Sequence, residues 1–136
     1  MSRGLHSQGM DSAREGVVAS AFEIVRVEET ERLTDSERER LFSRAELQYA
    51  HAKRDPARRL AARLAAKRAA RRALGGRTRE CEISVERRPG AAPTLRLEGA
   101  AAARLTAIGA ASALVSLTHE GQLAAAAVLL LKAPRP

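Results

Sequence analysis

The sequence predicts an α+β fold in one domain, with a small sheet packed on a long helix. Apolar runs rich in β-branched residues alternate with helix patterns bounded by capping residues and glycines, in the order β-α-α-β-β-α-β-β. A chain of 136 residues with 45% hydrophobic residues has the size of one compact domain. Aromatic residues make up only 2%, so the core must consist of Leu, Val, Ile and many Ala, which bury little area each. Self-assembly would add the burial that such a core lacks.

The first strand and the helix after it are predicted in the N-terminal third of the chain. Residues Val17 to Val27 are apolar and rich in β-branched side chains, which favours a strand. A helix is predicted from Ser36 to Ala50, with Ser36 as its N-cap. Glu39 follows three residues later, which is the spacing of a capping box.

The next element is a long basic helix whose two ends are clearly marked. Asp55 is the predicted N-cap, Pro56 takes the first helical position, and Gly75-Gly76 ends the helix. Its predicted buried stripe consists of Leu60, Leu64 and Leu74 with the alanines between them. Cations recur every four residues on a neighbouring face, at Arg59, Arg63, Lys67 and Arg71. Like charges at this spacing repel each other, so a bound anion would stabilise them.

A hairpin is predicted after the long helix. Residues Glu80 to Arg88 alternate in polarity, which places Cys81, Ile83 and Val85 on one face of a half-buried strand. Pro89-Gly90 turns the chain into a second short strand, Thr94 to Leu97.

The last third of the chain is predicted to form a helix and two more strands. The helix is Ala-rich, runs from Ala100 to Ile108 and is closed by Gly109. The strands Ala113 to Thr118 and Gln122 to Leu131 are joined at His119-Glu120-Gly121.

The organisation of the whole chain follows from these elements. Residues 16–132 are expected to form the domain, residues 1–15 a disordered tail and residues 133–136 a short C-terminal tail. The first residues lack the apolar core of a signal peptide, and no apolar run of 18 residues could span a membrane. The single Cys81 allows no internal disulfide. A cytoplasmic protein with no membrane partner is therefore expected.

The positive charge is concentrated in one segment. The net charge is +8, yet residues Lys53 to Arg79 alone carry eleven Lys or Arg and one acid, a sum of +10. Such a block attracts an anionic partner. Charge alone does not choose between nucleic acid, a phosphate-rich cofactor and an acidic protein.

Five segments, in the right order, carry a resemblance to one family. The stretch Arg58 to Gly76, RRLAARLAAKRAARRALGG, resembles the helix R-F-A-x-K-E-A-x-x-K-A-x-G-T-G of the holo-acyl-carrier-protein synthases, the 4'-phosphopantetheinyl transferases. The others are Phe22 to Val27, similar to I-V-E-I-x-R-I; Leu41 to Leu47, similar to L-T-x-x-E-L; Pro93 to Gly99, similar to the hairpin G-K-P-x-x-x-L-x-G; and Val115 to Leu131, similar to V-S-L-S-H and the strand after it. The resemblance implies a 4'-phosphopantetheinyl transferase-like fold that forms homotrimers with sites between subunits.

The resemblance also implies an activity. Family members transfer the phosphopantetheine arm of coenzyme A to a serine of an acyl carrier protein, and they use magnesium to stabilise charge on the diphosphate. The family's magnesium-binding Asp and Glu correspond here to Ser20 and Arg68, a change of +3 in formal charge. Because magnesium prefers several hard oxygen ligands, these two positions predict no metal site and make magnesium an unlikely cofactor. One hypothesis puts the Arg68 guanidinium in the metal's place, paired directly with a phosphate or carboxylate; the alternative is that Arg68 points to solvent.

Other family positions keep residues that suit a cofactor. By the resemblance, Arg63, Lys67 and Arg72 meet phosphates of coenzyme A, the flexible Gly75-Gly76 turn replaces the family's G-T-G loop, and His119 lies near the cofactor. A solvated basic face is the alternative interpretation.

Candidate catalytic residues also follow from the resemblance. Lys67 and His119 are the candidates for proton transfer, with Arg68 beside them. Glu23 is the candidate that could serve an active transferase in place of the missing ligands.

The resemblance further implies an acidic carrier protein as partner. In the family this partner docks on a basic surface from the early helix region, to which Arg26, Arg40 and Arg44 correspond. Arginine clusters facing acidic helices give salt-dependent steering.

Three functions from different classes remain open. The first is a divergent protein of this fold that binds an acyl carrier protein or coenzyme A in fatty-acid or polyketide-type assembly without standard magnesium-dependent transfer, either as a non-transferring partner or as a repurposed catalyst on a carrier-bound acyl group. The second is an active 4'-phosphopantetheinyl transferase that converts apo- to holo-acyl carrier protein. The third is nucleic-acid binding by the basic helix, which is disfavoured because the few aromatic residues offer no stacking platform.

Overall fold

A computed structural model describes residues 16–135 and has the predicted α+β fold. Its five strands are β1 (Val17–Arg26), β2 (Ile83–Glu86), β3 (Thr94–Leu97), β4 (Ser112–Glu120) and β5 (Leu123–Leu131). Its five α-helices are α1 (Val27–Glu31), α2 (Asp35–Leu41), α3 (Arg44–His51), α4 (Pro56–Ala73) and α5 (Gly99–Ala107). The tail predicted at residues 1–15 lies outside the described residues, as does Pro136.

Two antiparallel sheets support the long helix α4. The larger sheet has the strand order β1-β5-β4, and β2 pairs with β3 in a separate hairpin. The central strand β5 presents small buried side chains such as Ala124 and Ala126, which belong to the same core cluster as Ala61 and Ala65 of α4. Small residues on both elements let the helix lie close to the sheet, so the predicted packing of a sheet on a long helix is confirmed.

Helix α4 has the predicted buried stripe and the predicted end. Leu60, Leu64 and Leu74 are fully buried. At the C-terminus the amide of Gly76 donates to the Arg71 carbonyl at 2.8 Å, and the amide of Gly75 donates to the Arg72 carbonyl at 3.1 Å. Gly75 has a φ of 99°, so these bonds form a Schellman motif that ends the helix.

The start of α4 differs in one detail from the prediction. Asp55 occupies the N-cap position, but its side chain makes no capping hydrogen bond. Its carboxylate instead accepts a hydrogen bond from Arg59 at 3.2 Å and pairs with Arg58 at 3.7 Å. The basic first turn of the helix competes successfully for this carboxylate.

The predicted helix from Ser36 to Ala50 is wrong, because the segment forms two helices. The N-cap of α2 is Thr34 rather than Ser36, and its capping box uses Glu37 rather than Glu39. Ser43 then caps α3, with Glu46 completing a second capping box. The Ser43 hydroxyl accepts from the Glu46 amide at 3.1 Å, and a bond of this kind begins a new helix rather than continuing the old one.

The strand predicted from Glu80 to Arg88 is shorter than expected. Residues Glu80–Glu82 form a 3-10 turn, and only Ile83–Glu86 pair with the neighbouring strand. Ile83 and Val85 are buried as predicted, whereas Cys81 is exposed. The Glu82 carboxylate accepts from the amides of Arg79 and Ala100, at 3.0 and 2.6 Å, and these bonds stabilise the turn.

Candidate functional site

The row of cations on α4 is largely satisfied by protein acceptors. Arg59 is bonded to Asp55, and the Nε of Arg71 donates to the Thr78 carbonyl at 2.6 Å. Arg63 and Lys67 are buried, with 3% and 0% of their surface exposed. The sequence predicted an anion that relieves the repulsion along this face, and the fold supplies most of that relief itself.

Lys67 forms a buried ion pair with Glu46. Its ammonium lies 2.6 Å from a carboxylate oxygen of Glu46 and also donates to the carbonyl of Ile83. Burial lowers the pKa of Lys67, and the charge of Glu46 acts against that shift. The other Glu46 oxygen accepts from the Val85 amide at 2.9 Å, so this pair joins α3, α4 and β2. These contacts describe a lysine that holds the site together from inside the core.

Arg63 lies at the wall of a cavity of about 490 Å³, which we call the Arg63 cavity. Its guanidinium carbon lies 4.2 Å from the centre of the Tyr49 ring, and its Nη1 donates to the Arg59 carbonyl at 3.4 Å. The buried Nε of Arg63 has no hydrogen-bond partner among the described residues. Arg87 and Arg88 also line the cavity. A buried, unsatisfied guanidinium donor beside two exposed arginines suits an anionic ligand.

The pKa of Tyr49 reports the positive potential in this cavity. Burial acts to raise the pKa of the phenol, but the charges of Arg63, Arg87, Arg59 and Lys53 outweigh it and lower the pKa below its ordinary value. Burial lowers the pKa of Arg63, because it disfavours the charged form of the guanidinium. An anion in the cavity would oppose the burial cost of that cation.

A second cavity of about 290 Å³, which we call the Arg68 cavity, lies at the C-terminal half of α4. It is lined by Glu23, Arg68, Arg71, Arg72, Gly76 and Glu80. Arg72 donates from Nη2 to the Phe22 carbonyl at 2.5 Å, while its distance to the Glu23 carboxylate is 3.6 Å. Arg71 lies 3.7 Å from the Glu80 carboxylate. These two ion pairs are too long to be hydrogen bonds, so both guanidiniums keep donors for a ligand.

Arg68 is held at this cavity by Glu29, a residue that the sequence analysis did not single out. The guanidinium makes a bidentate pair with the Glu29 carboxylate, one bond of which measures 3.1 Å. This pairing raises the pKa of Arg68 and lowers the pKa of Glu29, against the opposing effect of burial in each case. Helix α1 positions Glu29, because the buried Thr30 hydroxyl lies 2.7 Å from the Ala57 carbonyl at the start of α4.

Ser20 and Arg68 do not lie in one site. Strand side chains alternate between faces, and Val25 of β1 is buried in the core cluster that contains α4. Glu23 therefore shares the helix-facing side, whereas Ser20 is exposed on the opposite side, opposite Leu129 of β5. The carboxylate that β1 contributes to the Arg68 cavity is thus Glu23.

The two residues that the resemblance places at metal positions, Ser20 and Arg68, do not fit a magnesium ion. Ser20 faces away from α4, and Arg68 places a cation, already paired, where a carboxylate ligand would be needed. Among residues 16–135, no group of three or more His, Cys, Asp or Glu side chains could hold a metal.

The remaining predicted site residues lie in three places. Gly76 lines the Arg68 cavity, and Gly75 packs against Arg104 next to it. His119 is half-buried on β4 opposite Ala124 and lines neither cavity. The arginines assigned to a carrier protein, Arg26, Arg40 and Arg44, are all exposed.

Sequence reasoning missed several residues that shape these cavities. Tyr49 lies on α3, Arg87 directly follows β2 and Glu29 lies on α1, so none of them belongs to the basic helix. Only Glu46 carried a readable signal, because it stands three residues after Ser43 in a capping box. No helix in the described part of the chain is long and apolar enough to cross a membrane.

The fold is that of the solved acyl carrier protein synthases. The Mycobacterium tuberculosis acyl carrier protein synthase is 34% identical, with a TM-score of 0.66 and coverage of 88% of this chain and 100% of that chain. A coenzyme A complex of the synthase from Chronobacterium ammoniagenes has a TM-score of 0.71 at 25% identity and covers 85% of this chain and 97% of that one. These matches show that the chain has the phosphopantetheinyl transferase fold of the acyl carrier protein synthases.

Curated relatives identify the family. The holo-[acyl-carrier-protein] synthase of Anaeromyxobacter sp. strain Fw109-5 is 47% identical over 94 residues, which are 68% of this chain and 72% of the relative. The enzyme of the same name from Anaeromyxobacter dehalogenans strain 2CP-C is 40% identical over 93 residues, 67% of this chain and 72% of the relative. No family model matches the sequence. The chain belongs to the holo-[acyl-carrier-protein] synthase family.

Proposed function

We propose that the chain is a coenzyme A-dependent 4'-phosphopantetheinyl transferase that converts an apo-acyl carrier protein to its holo form. The carrier's serine oxygen would form a bond to the phosphorus next to the pantetheine arm. The bond from that phosphorus to the bridging oxygen would break, and 3',5'-ADP would leave. The serine proton would pass to a carboxylate, for which Glu23 is the candidate because it lines the Arg68 cavity.

One observation carries this proposal above the others. The identity of 40–47% to proteins named holo-[acyl-carrier-protein] synthase extends over about two thirds of the chain. An active transferase, the second of the three functions left open by the sequence, is therefore better supported than a non-transferring protein. A synthase of the same fold, 25% identical, has been solved with coenzyme A, which supports coenzyme A as the cofactor here.

The Arg63 cavity suits a phosphate group of the coenzyme. It combines a buried arginine whose Nε is unsatisfied with Arg87 and Arg88 at its rim. A phosphate accepts bidentate hydrogen bonds from guanidinium groups, and burial strengthens them.

A single chain presents its two basic cavities on different sides of α4. Arg63 and Arg68 are five residues apart, which in an α-helix corresponds to a rotation of about 140°. One coenzyme molecule would reach both kinds of cavity most simply at a boundary between two subunits. This geometry supports sites shared between chains.

The outer face of the larger sheet supports a homotrimer. It exposes large apolar residues from all three strands, and between 38% and 57% of the surface of each residue is accessible. These residues are Phe22, Ile24, Leu114, Leu123 and Leu129. A contiguous apolar face of this kind marks an interface, and burying it would compensate for a core of small residues.

The acidic carrier protein would dock on the exposed arginines. Arg26 lies at the end of β1 in a shallow depression with Gln122 and Leu123, and its nearest carboxylate, Glu28, is 3.8 Å away. Arg40 and Arg44 are exposed on α2 and α3. Replacing either of these two by Glu should weaken carrier binding and reduce its salt dependence.

Intact-mass measurement of an apo-acyl carrier protein incubated with the chain and coenzyme A tests the reaction. Transfer adds the phosphopantetheine arm to one serine and releases 3',5'-ADP. Arg63→Met should raise the KM for coenzyme A at least about tenfold, because a charged hydrogen bond to phosphate is lost. Arg32→Met, an exposed arginine at the end of α1 that pairs with Glu28 outside the Arg63 cavity, serves as the control. An unchanged KM in Arg63→Met would contradict the assignment of the Arg63 cavity.

A second candidate is a partner that binds carrier protein and coenzyme A without transfer. The observation that favours it is the Arg68–Glu29 pair at a position where the family carries a metal-binding carboxylate. Binding of both ligands with no gain of mass on the carrier would establish this function instead.

A further inference from the structure

The Arg68 cavity contains equal numbers of positive and negative side chains. Three arginines and two carboxylates, those of Glu23 and Glu80, line it. Glu29 supplies the third carboxylate through its bond to Arg68. An anion that pairs with Arg68 must therefore displace Glu29 from it.

Glu29 is the carboxylate that occupies the donors of Arg68. It lies on a helix of five residues, and 42% of its side chain is exposed. Accessible ion pairs contribute about 0.2–1 kcal/mol to stability, and the bidentate geometry of this pair places it at the upper end of that range. Glu23 and Glu80 are less exposed, at 28% and 26%.

Arg68 is well placed to receive a phosphate once Glu29 moves away. Its guanidinium already makes a bidentate pair with a carboxylate, which is the same donor geometry that a phosphate uses. Arg71 and Arg72 stand beside it with carboxylate distances of 3.7 and 3.6 Å, too long for hydrogen bonds. All three guanidiniums line the cavity that such an anion would enter.

We infer that Glu29 is a built-in substitute for the ligand at a metal-independent diphosphate site, and that the diphosphate of coenzyme A replaces it on Arg68. This inference rests on the proposed coenzyme A-dependent function. It adds that the negative charge of the diphosphate is neutralised by the chain's own arginines. In the resemblance that role belongs to magnesium.

Calorimetric titration with coenzyme A, in EDTA and in magnesium, tests this inference. Wild-type affinity should be equal within about twofold in the two conditions, because no metal is needed. Glu29→Gln should bind coenzyme A roughly two- to fivefold more tightly, the gain expected when a competing exposed ion pair is removed. Arg68→Glu should lose binding in EDTA.

Glu28→Gln is the matched control. Glu28 is the preceding residue of α1 and pairs only loosely with Arg26 and Arg32, at 3.8 and 3.7 Å, outside the cavity. It should leave the affinity unchanged.

The possible failures are distinguishable. Wild-type binding that requires magnesium would overturn the inference and leave the proposed transferase intact. Equal affinities of Glu29→Gln and Glu28→Gln would also overturn it. An absence of coenzyme A binding in both conditions would remove the proposed function itself.

Discussion

At the scale of single residues, the site is organised by charges that the fold has already paired. Lys67 resembles a catalytic lysine in sequence, yet its ammonium is enclosed with Glu46 and backbone carbonyls. Arg68 looks like a lost metal ligand, yet it is one half of a pair with Glu29. The function of a charged residue here depends on its partner, and the partner comes from a distant part of the chain.

Removing one member of the buried pair should destabilise the protein strongly. Glu46→Ala leaves the Lys67 ammonium buried without a counterion, which costs about 3–5 kcal/mol. Urea denaturation would measure the loss. The exposed Glu39→Ala should change the free energy of unfolding by less than about 0.5 kcal/mol.

A double variant separates the ion pair from the packing around it. Glu46→Leu combined with Lys67→Met should be more stable than Glu46→Ala, since no uncompensated charge remains. If the double variant were the less stable of the two, the buried pair would not be the main contributor.

The Arg68–Glu29 pair should respond to acid. Because Arg68 lowers the pKa of Glu29 from its ordinary value of 4.5, the pair stabilises the fold above that pH and its contribution is lost as the pH falls through the lowered pKa. The wild type should exceed Glu29→Gln in unfolding free energy by at most about 1 kcal/mol near neutral pH, a difference that disappears in acid. Denaturation series at several pH values would show this. A difference that grows on acidification would contradict the pairing.

Residue pairs of this kind could not be read from the sequence. Glu29 and Arg68 are 39 positions apart, and no local pattern links them. Periodicity along α4 correctly predicted which leucines are buried, but it placed Arg63 and Lys67 on a basic face. Both are in the core, because their charges are met by Tyr49 and Glu46.

At the scale of elements, local signals predicted the long helix well and the shorter elements less well. Proline at the start and glycines at the end fixed α4 because they act through the backbone alone. The break between α2 and α3 also had a local cause, the Ser43–Glu46 capping box, but the competing capping spacing of Ser36 and Glu39 obscured it. Helix α1 was missed, because its apolar start at Val27 continues the pattern of β1.

The glycine cap of α4 should tolerate no side chain. Gly75→Ala forces a residue with a Cβ into a φ of 99°, and that Cβ would lie 3.2 Å from the guanidinium of Arg104. We expect a loss of about 1–2 kcal/mol in unfolding free energy. Gly16→Ala, where nothing lies within 4 Å of the added Cβ, is the control. Equal stabilities of the two variants would show that the cap is not under strain.

At the scale of the whole molecule, the charge and the apolar surface indicate different partners. The charge sum pointed to an anionic partner, and two of the central cations are buried within the chain rather than displayed along a groove. This weakens the nucleic-acid hypothesis, which needs an exposed basic stripe. The exposed apolar residues on the outer face of the sheet instead support the proposed contact with further copies of the chain.

The assembly should depend on that sheet face. Light scattering after gel filtration should give about three times the chain mass of 14.6 kDa for the wild type. Leu114→Glu places a charge on this face, beside Leu129 of the central strand β5, and should release monomers. Ala103→Glu, which adds the same charge on the exposed side of α5, should stay trimeric. A wild-type monomer would exclude a site shared between subunits.

The central claim is the proposal that this chain keeps the transferase chemistry of its family, although Ser20 and Arg68 stand where the resemblance places the two metal-binding acids. The most direct measurement is the intact mass of an apo-acyl carrier protein after incubation with the chain and coenzyme A, in parallel in magnesium and in EDTA. The account predicts that one phosphopantetheine arm is added in both conditions. A carrier mass that stays unchanged in both would contradict it.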